Sequence, residues 1–353
     1  MKNNLPKVTI VTVTYNAEEY LEQTIKSVIK QDYPNIEYII IDGASSDRTV
    51  EIIKEYQKYI SYWTSEPDSG IYDAMNKGID IATGEWINFM NAGDSFAEPS
   101  TISNVINNLD KNTDIIAGDI YYLENSKSTY KKSYGLDKKF DGMFCCHQAM
   151  FVKTYLMKKY KFNTIYKIVA DYDFTLKCAM NNYNFQFVDF AVANFLSGGI
   201  SETNKIQAKI EDFFIQSHYI KNKDNLFNLP SFQYLKEQDT SNSNYTFTYF
   251  INSFYKYIDK LDSSKNYLLY GYGNIGKLIY NRLGKSIINI VDTNYKNLST
   301  KDLPIYNPID INNFEFDYII ISVLGREKTI IKNLVDNLKI NKNVIITLKL
   351  KND

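Results

Sequence analysis

The chain has few cysteines, few histidines and no long apolar run, and each shortage excludes a class of protein. Its 353 residues include three cysteines and two histidines. Cys145 and Cys146 are adjacent and Cys178 stands apart, which gives neither a disulfide framework nor a metal-ligand spacing. No apolar run approaches the roughly 18 residues that span a bilayer, and the N-terminus lacks a signal-peptide core. We therefore expect a cytoplasmic protein, either free or peripheral to the inner face of the membrane.

The chain also lacks an excess of charge of either sign. Lys and Arg number 40 and Asp and Glu number 41, which leaves a formal net charge of −1 at pH 7. This balance argues against nucleic acid as a main partner. The apolar content of 44% and the length predict two domains with substantial cores.

What the sequence does contain is an alternation of strand and helix patterns. Val8–Thr14 is β-branched at every position and Ile36–Asp42 is mostly apolar, so both are predicted to be buried strands. Between them an apolar stripe beginning at Leu21 repeats with helical spacing, and Asn16 with Glu19 forms a capping-box pattern before it. This order predicts an α/β fold.

Asp42 ends the second predicted strand. In open α/β sheets, ligands bind outside the carboxyl ends of the strands, so this carboxylate is placed to accept hydrogen bonds from a nucleobase or a ribose. The alternative is that Asp42 only shapes the turn that follows it.

The loop Asn91-Ala92-Gly93-Asp94 follows another buried strand. Through Asp94 it has the chemistry to hold Mg²⁺ or Mn²⁺, which bind oxygen ligands and keep several waters, while the cation bridges two phosphate oxygens. The same tetrapeptide is also an ordinary turn.

Four segments in this order resemble the family 2 glycosyltransferases with the GT-A fold, over roughly the first 200 residues. The segments are Thr12–Asn16, Ile41–Thr49, Asp68–Gly78 and Asn91–Asp94. The resemblance implies a mixed, mainly parallel sheet flanked by helices, and a site for a nucleoside-diphosphate sugar, with UDP favoured. It assigns donor binding to Thr14, Tyr15, Asn16, Glu18, Asp42, Asp68, Asn76, Asn91, Ala92 and Asp94, with Asp94 as the metal ligand.

The chain departs from this family at two donor-side positions. Asn91 replaces the first acid of the family's Asp-x-Asp motif, which puts the strength of metal coordination in doubt. Met75 stands where many members have Arg, and Lys77 is the candidate for supplying the positive charge to the diphosphate.

The acceptor side carries the remaining candidates. The segment with His147 resembles the family's acceptor-side strand, which makes His147 a contact for diphosphate or acceptor, or else a structural residue. Val169–Phe174 resembles the family's Glu-Asp motif and implies Asp171 as the catalytic base, with Asp173 as the fallback, although either acid could cap the helix. An inverting transfer needs such a carboxylate to take the proton of the attacking hydroxyl.

Near the C-terminus, Gly271, Gly273 and Gly276 form a Gly-x-Gly-x-x-Gly pattern between a strand and a helix, and Asp292 ends the next strand. This pattern fits a dinucleotide, with pyrophosphate at the helix N-terminus and ribose on Asp292. Tight packing of strand on helix explains the same glycines, and about 90 residues make only half of a full dinucleotide fold, so a vestigial site is favoured over NAD(P) binding.

These observations lead to one main hypothesis and one alternative. The main hypothesis is a glycosyltransferase domain at 1–204, a helical linker packing on it at 205–262 and a Rossmann-like domain at 263–353. Its activity would be inverting, metal-dependent hexosyl transfer from a UDP-sugar to a hydroxyl of a glycan, a lipid-linked saccharide such as a polysaccharide precursor, or a protein. The alternative is an NAD(P)-dependent or nucleotide-sensing protein that acts through the C-terminal domain.

Overall fold

The computed structural model divides the chain into two compact units, a first unit of Met1–Ala208 and a second unit of Lys209–Asp353. It describes residues 5–125, 127–238, 247–298, 300, 303–323 and 326–348.

The first unit is built on a mixed sheet whose centre is the β-branched run at Val8–Thr14. Every residue of that strand is buried, because it pairs in parallel with a strand on each side. Among the described residues the strand order is β3-β2-β1-β4-β8-β6-β9-β5, with β7 paired to β6. The strands are β1 (Val8–Thr14), β2 (Ile36–Asp42), β3 (Tyr62–Ser65), β4 (Trp86–Phe89), β5 (Ser95–Phe96), β6 (Ile115–Glu124), β7 (Lys127–Lys131), β8 (Met150–Lys153) and β9 (Phe185–Leu196).

The sheet is mixed, as predicted, and its longer ladders are parallel. Strands β1 to β4 pair in parallel, and so do β6 and β9. Strand β8 runs antiparallel to both β4 and β6, and two further pairings, β5 with β9 and β6 with β7, are antiparallel. Because β8 is antiparallel to β4, the residues before β8 lie beside the residues after β4.

Helices cover this sheet and complete its core. The apolar stripe of the first helix is buried as Leu21, Ile25 and Val28, as the sequence predicts. The helices of the first unit are α1 (Leu21–Ile29), α2 (Thr49–Glu55), α3 (Ile71–Ile81), α4 (Thr101–Asn107), α5 (Thr154–Tyr160), α6 (Ala170–Met180) and α7 (Ile200–Thr203).

The predicted capping box at the start of α1 is wrong. The helix begins at Leu21, and its N-cap residue, Tyr20, makes no side-chain cap hydrogen bond. Asn16 instead has a left-handed backbone with φ of 47°, and its side-chain oxygen accepts a hydrogen bond from the backbone N–H of Ser46. Asn tolerates this conformation because its short polar side chain bonds locally. Its amide therefore ties two loops together rather than capping a helix.

The second unit contains a helical part and a parallel sheet, and the division between the units falls inside its first helix. The described strands have the order β12-β11-β10-β13-β14, and every pairing is parallel. The elements are α8 (Lys205–Ser217), α9 (Lys223–Phe227), α10 (Pro230–Gln238), α11 (Phe247–Ile258), β10 (Tyr267–Tyr270), α12 (Asn274–Leu283), β11 (Ile287–Val291), β12 (Ile305–Tyr306), β13 (Tyr318–Ile321), α13 (Glu327–Lys332) and β14 (Ile345–Thr347).

Within the described part of the chain, none of the helices combines the length and the apolar character needed to cross a membrane.

Candidate active site

The carboxyl ends of β1, β2 and β3 lie side by side at one edge of the first sheet. The register aligns Thr14 with Asp42 and Asp42 with Ser65. Asp42 is fully buried. Its Oδ1 accepts from the hydroxyl of Ser45 at 2.5 Å, and its Oδ2 accepts from the hydroxyl of Ser65 at 2.6 Å and from the Ser45 N–H at 3.0 Å. These bonds fit the alternative in which Asp42 shapes the turn, and they hold the strand ends in register.

The loop after β1 carries three of the predicted donor-binding residues. Tyr15 is 65% exposed, so its ring is open to a ligand. The backbone N–H of Asn16 donates to the hydroxyl of Ser45, and Glu18 accepts from the backbone N–H of Arg48 at 2.9 Å. The loops after β1 and β2 are therefore joined into one rim at this edge of the sheet.

Asp68 lies against this rim. A Cβ atom built on Gly43 would stand 2.6 Å from Oδ2 of Asp68 and 3.3 Å from the ring of Tyr15. The other carboxylate oxygen of Asp68 accepts from the backbone N–H of Gly70 at 2.8 Å. Gly43 thus permits a carboxylate and an exposed aromatic ring to lie together, which is a combination suited to a ribose and a base.

Asn76 and Lys77 bond elsewhere. Both ends of the Asn76 amide pair with the backbone of Phe162, each at 2.9 Å, and so tie α3 to the chain before α6. Lys77 forms an ion pair with Glu66 at 2.8 Å, and this hydrogen bond raises the pKa of Lys77. These contacts engage both ends of the Asn76 amide within the fold and leave Lys77 on the side of α3 next to Glu66.

Asp94 is held in the loop after β4. Gly93 has φ of 106°, and the Asp94 N–H closes a turn on the carbonyl of Asn91, while Ala92 donates its N–H to the carbonyl of Val13. Oδ1 of Asp94 accepts from the Leu196 N–H at 3.0 Å, and Oδ2 accepts from the side-chain amide of Gln148 at 2.7 Å. Burial raises the pKa of Asp94 to about 6, against the opposing effect of these hydrogen bonds.

A chain of side chains links the same loop to α6. Nδ2 of Asn91 lies 3.1 Å from Nε2 of His147, and Nδ1 of His147 lies 2.9 Å from Oδ2 of Asp171. Oδ1 of Asp171 also accepts from the hydroxyl of Tyr72 at 3.0 Å and from the backbone N–H of Tyr172. Burial acts to raise the pKa of Asp171, but these hydrogen bonds and the adjacent imidazole outweigh it and hold the pKa below its usual range.

The two acids of α6 differ in their surroundings. Asp171 joins the group around His147, whereas Asp173 is buried and pairs with Lys177 at 3.3 Å on its own helix. Neither acid caps α6, because the N-cap residue is Val169 and no side-chain cap bond forms. The arrangement separates Asp171, which belongs to the site, from Asp173, which does not contact it through these bonds.

The loop after β4 fits a divalent cation. Among the described residues, the side-chain oxygen of Asn91 is buried without a hydrogen-bond partner, which costs about 1–3 kcal/mol unless a ligand satisfies it. A carboxylate has about four acceptor positions, so both oxygens of Asp94 keep capacity beyond the bonds they make. Within the described ranges, no group of three or more His, Cys, Asp or Glu side chains is placed to hold a metal ion. The loop suits Mg²⁺ or Mn²⁺, for which one carboxylate, phosphate oxygens and water suffice.

Sequence reasoning missed Gln148, Tyr72 and the two serines that bond Asp42. Gln148 adjoins His147 in the chain, and both precede β8, so the antiparallel pairing of β8 with β4 brings them to the Asn91–Asp94 loop. The sequence signal for Gln148 is that it and His147 are adjacent polar residues just before a buried strand. Tyr72 lies within the segment Asp68–Gly78, but nothing local marks it as a partner of Asp171.

In the second unit, the glycine pattern serves packing. A Cβ on Gly276 would stand 2.1 Å from the carbonyl oxygen of Gly271, which itself has φ of 97°. Both oxygens of Asp292 accept backbone hydrogen bonds, from Tyr272 and Asn294, each at 2.7 Å. Gly273 alone has open space around it. The acid at the strand end is thus occupied within the fold, as the packing alternative requires.

Two protein-family models match separate parts of the chain. Residues 9–176 match Glycosyl transferase family 2, and residues 263–346 match C2185-like, N-terminal. A relative, the PGL/p-HBAD biosynthesis glycosyltransferase of Mycobacterium bovis, is 29% identical over 208 residues, which are 56% of this chain and 80% of that protein. Together these matches identify the protein as a glycosyltransferase.

Solved structures agree with this fold. Staphylococcus aureus TarS 1–349, in complex with UDP-GlcNAc, superimposes with a TM-score of 0.52 at 16% identity and covers 73% of this chain and 82% of its own. The mannosyltransferase PcManGT from Pyrobaculum calidifontis, in complex with GDP-Man and Mn²⁺, gives a TM-score of 0.50 at 16% identity and covers 65% of this chain and 69% of its own. At such low identity these similarities speak for the fold alone, and the mixed sheet with its helices fits the GT-A fold.

Proposed function

We propose that the protein is an inverting, divalent-metal-dependent hexosyltransferase that moves a sugar from UDP to a hydroxyl of a glycan, a lipid-linked saccharide or a protein. The observation that carries the proposal is that two consecutive residues, His147 and Gln148, bond the two acids the chemistry needs. His147 contacts Asp171 and Gln148 contacts Asp94. A base and a diphosphate-binding acid therefore belong to one site.

The donor is a nucleoside-diphosphate sugar. Structural neighbours bind UDP-GlcNAc or GDP-Man, and the edge of the sheet in this chain offers matching chemistry. The exposed ring of Tyr15 stacks on the base, and the carboxylate of Asp68 accepts hydrogen bonds from the ribose hydroxyls. The diphosphate lies toward the loop that contains Asn91 and Asp94.

Asp171 acts as the base. Its pKa is held below the usual range, so the carboxylate is ionised at neutral pH and accepts the proton of the acceptor hydroxyl. As that oxygen bonds to the anomeric carbon from the opposite face, the bond from that carbon to the diphosphate oxygen breaks. The configuration of the sugar inverts in this single displacement, and UDP leaves.

Asp94 and the side-chain oxygen of Asn91 would hold the cation. When bound, Mn²⁺ or Mg²⁺ offsets the negative charge that grows on the departing diphosphate. The chain itself contributes the rigid loop, since Leu196 and Gln148 fix both oxygens of Asp94.

We further propose the domain organisation 1–204, 205–262 and 263–353, with a Rossmann-like third part. The parallel order β12-β11-β10-β13-β14 supports this, because it places the first strand of the unit at the centre as in doubly wound folds. The bonds of Asp292 favour a scaffold or acceptor-recognition role over NAD(P) binding.

The test compares two identical substitutions on one helix. Asp171→Asn removes the base and should lower turnover of a UDP-sugar by about 10²- to 10⁴-fold, while titration with UDP and Mn²⁺ shows unchanged affinity. Asp173→Asn is the matched control, because Asp173 pairs with Lys177 instead. It should keep most of the turnover. Full activity in Asp171→Asn, or a larger loss in Asp173→Asn, would reject Asp171 as the base.

A further inference from the structure

The contacts of His147 define which of its ring nitrogens carries the proton. Oδ2 of Asp171 is a carboxylate oxygen that only accepts, so Nδ1 of His147, at 2.9 Å, carries a proton and donates it. In the neutral ring Nε2 then accepts, and Nδ2 of Asn91, which has only hydrogens to offer, faces it at 3.1 Å. The imidazole is therefore the neutral Nδ1–H tautomer, with one hydrogen bond received and one given.

The same contacts orient the amide of Asn91. With its nitrogen directed at His147, the amide presents its oxygen as the group that lacks a partner among the described residues. Rotating the amide by half a turn would place two acceptors, the oxygen and Nε2, against each other. The imidazole thus selects one of two amide orientations that are otherwise nearly equal in shape.

We propose that His147 is a positioning residue that sets the Asp171 carboxylate and the Asn91 amide oxygen at the same time. The inference rests on the proposed function for the roles of Asp171 and Asn91. The contacts that His147 makes with them do not depend on that function. His147 is only 15% exposed at its side chain, and Asp171 only 14%, so solvent does not compete strongly for either bond.

This role accounts for an amide at position 91. A carboxylate there could not donate to Nε2, and it would meet a lone pair of the neutral ring. Asn91 supplies the donor that the ring needs while keeping an oxygen for a cation or diphosphate partner. The side chains of Asn91 and His147 are therefore complementary, and neither can be exchanged for an isostere without losing a contact.

The first experiment reads the tautomer directly and needs no substrate. The chain has two histidines, so ¹⁵N-histidine labelling gives two ring systems, and the signals lost in His147→Gln belong to His147. In the full-length wild-type protein at pH 8, Nδ1 should be of the protonated type and Nε2 of the unprotonated type. The opposite tautomer would overturn the proposal, whether or not the protein binds UDP.

The second experiment separates the two contacts with two amide variants. His147→Asn places a donor near the position of Nδ1 and keeps the Asp171 contact, whereas His147→Gln places its side-chain oxygen, an acceptor, near the position of Nε2 and keeps the Asn91 contact. Affinity is measured by calorimetry with UDP and MnCl₂. Turnover is measured as hydrolysis of whichever of UDP-GlcNAc, UDP-Glc and UDP-Gal the wild type cleaves.

His147→Gln should lower kcat by about 100-fold, as expected when a reacting group is misplaced by about an ångström, and leave the Mn²⁺-dependent affinity for UDP nearly unchanged. In His147→Asn, the Mn²⁺-dependent affinity for UDP should fall by a larger factor than kcat. Equal losses of both quantities in both variants would reduce His147 to a packing residue. If the wild type binds no UDP, the proposed function fails, and the tautomer still decides the positioning role.

Discussion

The side-chain amide of Gln148 donates a 2.7 Å hydrogen bond to Oδ2 of Asp94, across 54 positions of sequence. Gln148 is itself 3% exposed and lies in the turn before β8, where its carbonyl accepts from Asn88 of β4. This bond fixes the orientation of the buried carboxylate in the Asn91–Asp94 loop.

Replacing Gln148 by leucine should weaken metal binding. Outer-shell partners of metal-ligating groups typically contribute about 10- to 100-fold to metal affinity, and Gln148→Leu removes one such partner at similar volume. We expect a loss of that size in Mn²⁺ affinity, measured by calorimetry in the presence of UDP, with the overall fold retained.

Gln186→Leu is the matched control. Gln186 lies on β9 and bonds the backbone of Asp110 and the hydroxyl of Thr113, away from Asp94. That variant should lose some stability and keep its Mn²⁺ affinity. An equal fall in metal affinity in both variants would show that the effect of Gln148→Leu is a general consequence of lost stability.

At saturating Mn²⁺, which keeps Asp94 ionised, the pH dependence of transfer should follow Asp171. Its lowered pKa means that the ionised base persists until the pH falls below the ordinary range of Asp, near 3.9. The acid limb of kcat/KM assigned to this residue should therefore lie below that pH. Tyr72→Phe removes a hydroxyl that shares its proton between the carbonyl of Ile168 at 2.7 Å and the ionised carboxylate of Asp171 at 3.0 Å, so it raises the pKa of Asp171 and moves the acid limb to higher pH.

Tyr130→Phe provides the comparison for that shift. Its hydroxyl donates to Asp119 at 2.6 Å, a carboxylate outside the site. The profile of this variant should match the wild type. An acid limb that does not move in Tyr72→Phe would separate Asp171 from the step that limits kcat/KM.

A substitution at Gly43 tests whether Asp68, which lies against the rim formed by the loops after β1 and β2, binds the donor. In Gly43→Ala the new methyl group displaces the end of the Asp68 side chain, with little effect on the backbone, because the clashing atom is the carboxylate oxygen at 2.6 Å. We expect UDP affinity to fall by about tenfold, equivalent to about 1.4 kcal/mol, with thermal stability nearly unchanged. Gly199→Ala, where an added Cβ meets nothing within 4 Å, is the control. Unchanged UDP affinity in Gly43→Ala would remove Asp68 from the donor site.

The framework of the first unit could be predicted from local pattern. The strands Val8–Thr14 and Ile36–Asp42 are confirmed with the predicted bounds, because β-branched and apolar runs of that length are buried on both faces of the sheet. The capping box failed because a tertiary contact, from Asn16 to Ser46, took the side chain that the local pattern assigns to the helix.

The site required contacts that no local pattern contains. His147 and Asp171 are 24 positions apart and Gln148 and Asp94 are 54 apart, and the antiparallel return of β8 beside β4 brings the loop after β4 to the turn before β8. The resemblance supplied the candidate acids and His147, but not Gln148 or Tyr72, which also bond those acids. Burial also decided the environment of Asp42, whose carboxylate is enclosed by serines that the sequence does not mark as its partners.

The glycines of the second unit should separate packing from ligand binding. Gly276→Ala places a methyl group 2.1 Å from a backbone oxygen, and Gly271→Ala is strained by its positive φ and meets Val323 at 2.5 Å. Each should lower the free energy of unfolding of this unit by about 1–3 kcal/mol or more. Gly273→Ala, which meets nothing within 4 Å, should change it by less than about 0.5 kcal/mol.

Hydrogen exchange of the β10 amides in the full-length protein reports on this unit alone, with and without 1 mM NAD. Because both oxygens of Asp292 already accept backbone hydrogen bonds, NAD should not slow exchange in the wild type or in Gly273→Ala. Protection by NAD that disappears in Gly273→Ala would instead show that the open space beside Gly273 receives a pyrophosphate. That result would show that the second unit binds a dinucleotide. Gly273 would then be the glycine needed for close approach of the ligand, whereas Gly271 and Gly276 would be needed for packing.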